Sequence, residues 1–154
     1  MKAQKLVEIL NEKHLSLGSV ESMTGGLFAS SITSVPGASA VFKGGLITYQ
    51  APTKEKLVCV RHETIETFGV ISWEVASEMA YNGRALLDVD YCVAVTGNAG
   101  PTVDNGQKEV GTIFIAIASK DNVWGIPLSL QGSRNKICEQ TVTAMVETLL
   151  SIIK

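Results

Sequence analysis

The chain is 154 residues long, 45% hydrophobic and 18% charged, which suits one domain with a real hydrophobic core and argues against disorder. A formal net charge of −2 gives no electrostatic footprint for nucleic acid or an anionic membrane, while a local cationic pocket for an anionic substrate stays compatible with it. The three cysteines, Cys59, Cys92 and Cys138, are odd in number and widely spaced, so they fit reduced thiols in a cytoplasmic protein better than a disulfide framework or a zinc site.

In chain order, the opening MKAQKLVEILNEKH is charged throughout, so no signal peptide is expected. Leu6, Ile9 and Leu10 fall on one face of a first helix, and His14 is expected at its end. Leu17–Ser22 reads as a short strand and Thr24–Val35 as the helix after it, with Thr24 as its cap and Pro36-Gly37 as its stop. Gly45–Tyr49 is a buried-strand candidate, and Pro52 begins a short helix carrying Lys54, Lys56 and Leu57. Glu63–Phe68 is a minor helix, with His62 as a surface residue near its start. Ser72–Leu87 is a longer one with Ser72 as N-cap and Val75, Met79 and Leu86 among its apolar positions.

Tyr91–Thr96 reads as a strand ending in GNAGP, followed by a polar loop at Thr102–Glu109. Val110–Ala118 and Val123–Leu130 read as adjacent strands joined by a hairpin turn at Lys120–Asn122. The longest strongly apolar run, Ile113–Ala118, is too short to span a bilayer. Ser133–Ile153 is the closing helix, its apolar face supplied by Ile137, Val142, Met145, Val146, Leu149 and Leu150. Intermixed helices and strands with one late hairpin predict an α/β fold, a three-layer α/β/α sandwich on a mixed, mostly parallel sheet.

Three loop segments follow predicted strands, where open α/β sheets usually bind ligands: ESMTGG, TYQAPTK and VTGNAGP. There is no P-loop, no G-x-G-x-x-G and no G-x-S-x-G, and Ser22 is followed three residues later by Gly25, not by the Lys of S-x-x-K. Ser22, at a strand end before a Gly-Gly helix entry, is a candidate nucleophile with Gly25 or Gly26 N–H groups as oxyanion donors; a turn serine bonded to its own backbone is the structural alternative. Histidine is scarce, so a lysine with a lowered pKa is the other available base, and Lys54 lies just past the strand ending in Tyr49. A solvated helix lysine like Lys56 is the ordinary reading of that position. Tyr49 could relay a proton or hold substrate, or pack with its hydroxyl at a rim. The glycines of Thr96-Gly97 and Gly100-Pro101 suggest close approach of backbone to a ligand or a neighbouring loop. Arg134, at the start of the last helix, is a candidate for a phosphate site or an ordinary surface arginine.

Together these segments resemble the CinA C-terminal domain family, whose pattern runs E-S-C-T-G-G, P-G-[AS]-S, a strand ending in Tyr with Lys five residues on, [TS]-G-I-A-G-P and P-V-G-T. Here the matching residues are Glu21–Gly26, Pro36–Ser39, Tyr49 with Lys54, Thr96–Pro101 and Val110-Gly111-Thr112. The match covers almost the whole chain in order. It implies one stand-alone domain over residues 1–154, the larger members carrying an additional N-terminal domain. It also implies hydrolysis of nicotinamide mononucleotide to nicotinate mononucleotide and ammonia, without a metal or other cofactor. Ser22 would be the nucleophile, Lys54 its base and Tyr49 a partner to that pair. Thr24, Gly25, Gly26, Thr96, Gly97 and Arg134 would surround a small nucleotide substrate.

The departures are Met23 for the usual Cys, Gln50–Thr53 before the lysine, Asn98 for an apolar residue, Glu109 for a proline, and Cys138 where a second arginine often stands. A lost arginine weakens a phosphate site. A hydrolase of another small amide, or a non-enzymatic interaction module, are the alternative readings, and an exposed apolar helix patch would point to a homo-oligomer.

Overall fold

Two hydrophobic cores, one on each face of a single sheet, explain most of the sequence pattern. The computed structural model describes residues 2–103 and 108–154, so the expected polar loop at 102–109 lies partly outside the described residues. The strands are β1 (Leu17–Glu21), β2 (Phe42–Ile47), β3 (Tyr91–Gly97), β4 (Thr112–Ala118) and β5 (Val123–Ser129). The helices are α1 (Lys2–Glu12), α2 (Leu27–Thr33), α3 (Ala51–Val58), α4 (His62–Phe68), α5 (Trp73–Leu87) and α6 (Arg134–Ile153). The sheet order is β2-β1-β3-β4-β5, with β1 parallel to both β2 and β3, and with β4 antiparallel to both β3 and β5. Four of the five described strands therefore point the same way, as the expected mixed, mostly parallel sheet requires.

Strand alternation sorts the side chains onto the two faces. Leu17, Val93, Val95, Ile113, Ile115 and Ile117 pack with residues of α1, α2 and α6, whereas Val20, Cys92, Ala94, Ala116 and Ala118 pack under α5 and α3. The second face uses small residues because α5 lies close to the sheet. A Cβ on Gly83 would come within 2.5 Å of Val20 Cγ2 and 3.0 Å of Cys92 Sγ, so only glycine allows this approach. Burial there pushes the Cys92 thiol up to about 12, which leaves it an inert packing group.

Several boundaries shift, each for a physical reason. The second helix begins at Leu27, not Thr24, because residues 22–26 form a turn and Gly26, at φ 101°, caps the helix in the left-handed region. Thr24 is not that cap. β2 runs from Phe42 to Ile47 and leaves Tyr49 beyond the strand, where Gln50 becomes the extended N-cap residue of α3. Val110 and Gly111 lie in a turn before β4, and Leu130 lies past β5. A short 3-10 turn at Ala38–Ala40 was not foreseen. Leu86, counted among the apolar positions of α5, is 55% exposed. Ser72 and Ser133 both act as N-caps, accepting from Val75 N–H and Lys136 N–H. The hairpin at Lys120–Asn122 is closed by Ser119 N–H on the Asn122 carbonyl at 2.8 Å. Among the described residues, no helix is long and apolar enough to cross a membrane.

Candidate active site

The chain passes from β1 through α2 to β2 on one face, and from β2 through α3–α5 to β3 on the other. The crossovers thus diverge on either side of β1, which makes the carboxyl ends of β1, β2 and β3 a switch point. The ladder continues past the strand ends and holds them together. Thr48 N–H donates to the Glu21 carbonyl at 2.8 Å, and Ser22 N–H to the Val95 carbonyl at 3.2 Å.

Against this frame α3 aims its buried face, Lys54 and Val58 at i and i+4, inward, while Lys56 and Leu57 face solvent. Lys54 is 1% exposed. Its Nζ donates to Ser22 Oγ at 2.9 Å, to the Thr48 carbonyl at 2.7 Å and to the Tyr49 carbonyl at 3.2 Å. Burial disfavours the ammonium form and lowers the pKa from 10.5 to about 8. Ser22 is 6% exposed, and its hydroxyl also lies 3.4 Å from the Tyr49 carbonyl.

These contacts have a simple chemical consequence. A neutral Lys54 amine can keep two N–H bonds, to the Thr48 and Tyr49 carbonyls, and turn its lone pair toward the Ser22 hydroxyl. The solvated-lysine reading therefore fails for Lys54 and holds for Lys56. Tyr49 joins the pair through its backbone carbonyl, not its phenol, which instead accepts from Arg134 Nη2 at 2.8 Å. The other terminal nitrogen of Arg134, Nη1, donates to the Gly100 carbonyl.

A cavity of about 260 Å³ opens over the pair, lined by Ser22, Met23, Tyr49, Lys54, Val70, Ile71, residues 96–100, Thr102 and Arg134. It unites the three loop segments read from the sequence, together with Arg134. The Thr96 hydroxyl donates to the Val70 carbonyl at 2.9 Å and so ties β3 to the segment ahead of α5. Thr24, Gly25 and Gly26 do not line the cavity. The Gly25 N–H is spent on the Ser22 carbonyl at 3.0 Å, so of the two oxyanion donors expected, Gly25 and Gly26, the first is already engaged.

Sequence reasoning missed Glu21. Its carboxylate, 1% exposed, accepts from Thr24 Oγ1 at 2.6 Å, Phe28 N–H at 2.9 Å and Ala29 N–H at 3.0 Å. It thereby satisfies donors at the start of α2, with the favourable interaction of an anion and a helix N-terminus. Glu21 fixes the turn that carries Ser22. Neither histidine lines the cavity: His62 bonds Glu55 on the surface, which raises its pKa, and His14 lies past α1. Cys138 lies one turn along α6 from Arg134, with Sγ 3.6 Å from the Met23 carbonyl; burial raises its thiol pKa, and a thiol in either state supplies no cation. Among the described residues, no group of three or more His, Cys, Asp or Glu is placed to hold a metal ion.

The sequence model of the CinA C-terminal domain matches residues 1–153. A protein of Thermoanaerobacter sp. strain X514, named as competence-damage inducible, is 42% identical over 137 residues, which is 89% of this chain and 33% of that protein. A CinA-like protein of Petrotoga mobilis is 35% identical over 149 residues, covering 97% of this chain and 37% of that protein. The chain thus spans about a third of the length of these curated relatives. Among solved structures, the competence/damage inducible protein CihA from Agrobacterium tumefaciens superposes with a TM-score of 0.92 at 30% identity, covering 100% of this chain and 97% of that one.

Proposed function

The chain belongs to the CinA C-terminal domain family, and on that membership together with the buried Ser22–Lys54 pair we propose that it is an amidohydrolase converting nicotinamide mononucleotide to nicotinate mononucleotide and ammonia. The observation that carries the reading is the Lys54 Nζ, 2.9 Å from Ser22 Oγ and buried enough for its pKa to fall to about 8. Ser22 Oγ attacks the carboxamide carbon as Lys54 takes its proton, and the lysine then returns that proton to the departing ammonia. Water, activated by the same amine, cleaves the acyl-enzyme to give the carboxylate and free Ser22. Both half-reactions use one base, and atoms balance as amide plus water giving acid plus ammonia.

In this reading the pyridine carboxamide would sit at Ser22 and the phosphate toward Arg134, both of which line the cavity. Loss of a charged hydrogen-bond partner costs about 1.5–3 kcal/mol, roughly ten- to a hundredfold in binding. Arg134→Ala therefore raises KM for nicotinamide mononucleotide by that order and barely affects the phosphate-free riboside. Equal losses on the two substrates would mean that Arg134 supports the fold or the chemistry instead of reading the phosphate.

Ammonia release from nicotinamide mononucleotide, nicotinamide riboside and a panel of other small amides tests the assignment. Cys138, uncharged where a second arginine often stands in the family pattern, favours a second reading as a hydrolase of another small amide. Turnover confined to a different amide would establish that reading. No ammonia from any of them would leave an interaction module. Prolonged dialysis against a chelator leaves the rate unchanged, since the proposed chemistry needs only Ser22 and Lys54; activity lost and then restored by zinc or magnesium would overturn the mechanism.

A further inference from the structure

The mouth of the cavity carries a run of hydrogen bonds that the proton transfers above do not use. Asn98 is 8% exposed, and both amide hydrogens are committed: Nδ2 donates to the Lys108 carbonyl at 3.0 Å and to the Thr102 carbonyl at 3.3 Å. Its Oδ1 accepts from Gly100 N–H at 2.9 Å, the two-residue turn that asparagine side chains form. The position demands a glycine, the residue with the most backbone freedom to restrain. Its φ is +76°, and a Cβ there would lie 2.6 Å from Val110. The Gly100 carbonyl in turn receives Arg134, whose other terminal nitrogen reaches the Tyr49 phenol. Four residues from two loops and the start of α6 thus form one chain across the mouth: Asn98, Gly100, Arg134 and Tyr49.

We infer that Asn98 is a positioning residue for Arg134, setting the guanidinium for an anionic group through the Gly100 carbonyl without touching the substrate itself. This rests on the nucleotide reading of the site. It gives a physical role to a position where the family pattern carries an apolar side chain. An apolar side chain at residue 98 could not fix Gly100 by a hydrogen bond, and an arginine steadied only through the Tyr49 phenol must then be ordered further when the anion binds. Ordering one rotamer-rich side chain costs roughly two- to tenfold in affinity.

Calorimetric binding of nicotinamide mononucleotide and of nicotinamide riboside, both on a Ser22→Ala background that prevents turnover, tests the inference. Asn98→Leu is expected to raise Kd for the nucleotide about two- to tenfold and Kd for the riboside by less than about twofold. Asn98→Ser keeps a hydroxyl able to accept from Gly100 N–H and is expected to restore much of the nucleotide affinity. Equal losses on both ligands, an unchanged nucleotide Kd in Asn98→Leu, or a serine variant no better than leucine would overturn it. If Asn98→Leu fails to fold, Asn98→Ala replaces it in the same comparison with serine. Nucleotide binding by the Ser22→Ala protein, with no ammonia released by the wild type, would sink the amidase reading alone and leave the Asn98 comparison decisive. Absence of any nucleotide binding would sink both.

Discussion

Ser22→Ala is expected to fold normally and to lose at least about a thousandfold in turnover, with Lys54→Met close behind it. The reason is that the two side chains form one chemical unit. Ser22 Oγ is a poor nucleophile while it keeps its proton, and Lys54 Nζ, at 2.9 Å, is the buried base in reach of it. Removing the hydroxyl leaves the amine nothing to activate at that point, and removing the amine leaves the hydroxyl protonated. The double variant should therefore be little slower than either single one, instead of showing the product of the two losses. Rates for all four proteins on nicotinamide mononucleotide, with circular dichroism to verify folding, make the comparison. Substantial activity in Ser22→Ala would remove the covalent route. Multiplicative losses would mean that the two residues act in separate steps.

How much of this could be read from the residues differs from one feature to the next. Ser72 as an N-cap was legible because its partner, Val75 N–H, lies three residues away, within the reach of a local rule. The helix after β1 was legible as an element but not in its start. Its capping oxygens come from Glu21, which reaches forward seven and eight residues to Phe28 and Ala29 and leaves no local signature. Thr24 looked like the cap because it has the right side chain, but that hydroxyl donates to the same carboxylate.

The lysine at position 54 was visible as a candidate only through order along the chain. Its burial depends on which face α3 turns inward, and Val58, four residues on, marks that face only once the helix bounds are known. The side chain of Tyr49 lies at the rim of the cavity, one of the readings open to it, but its contact with Ser22 and Lys54 runs through the backbone carbonyl, which every residue has and no pattern can flag. The short turn from Asn98 to Gly100 has a recognisable local form, but the Lys108 carbonyl that completes it lies ten residues away.

A rising limb in the pH dependence of kcat/KM follows from the state of Lys54. With a folded pKa of about 8, the amine is mostly protonated at pH 6 and mostly free at pH 9. As a base it must be neutral, so the rate climbs about tenfold per pH unit at low pH and levels off above about 8, roughly a hundredfold from pH 6 to the plateau. The same shift leaves a mark on stability that needs no substrate. Between about 8 and 10.5 the unfolded chain still binds a proton that the folded chain has released, so stability rises with pH across that window. Below it both states hold the proton, and the cost of a buried ammonium is constant; above it neither holds one, and the cost is gone. The full swing is at most on the order of 3 kcal/mol. Denaturant melts of wild type and Lys54→Met at several pH values isolate the contribution, because all other titrating groups are shared. The wild type should gain on the methionine variant as pH rises through the window. Parallel stability curves with a flat pH–rate profile would show that Lys54 is not the titrating base.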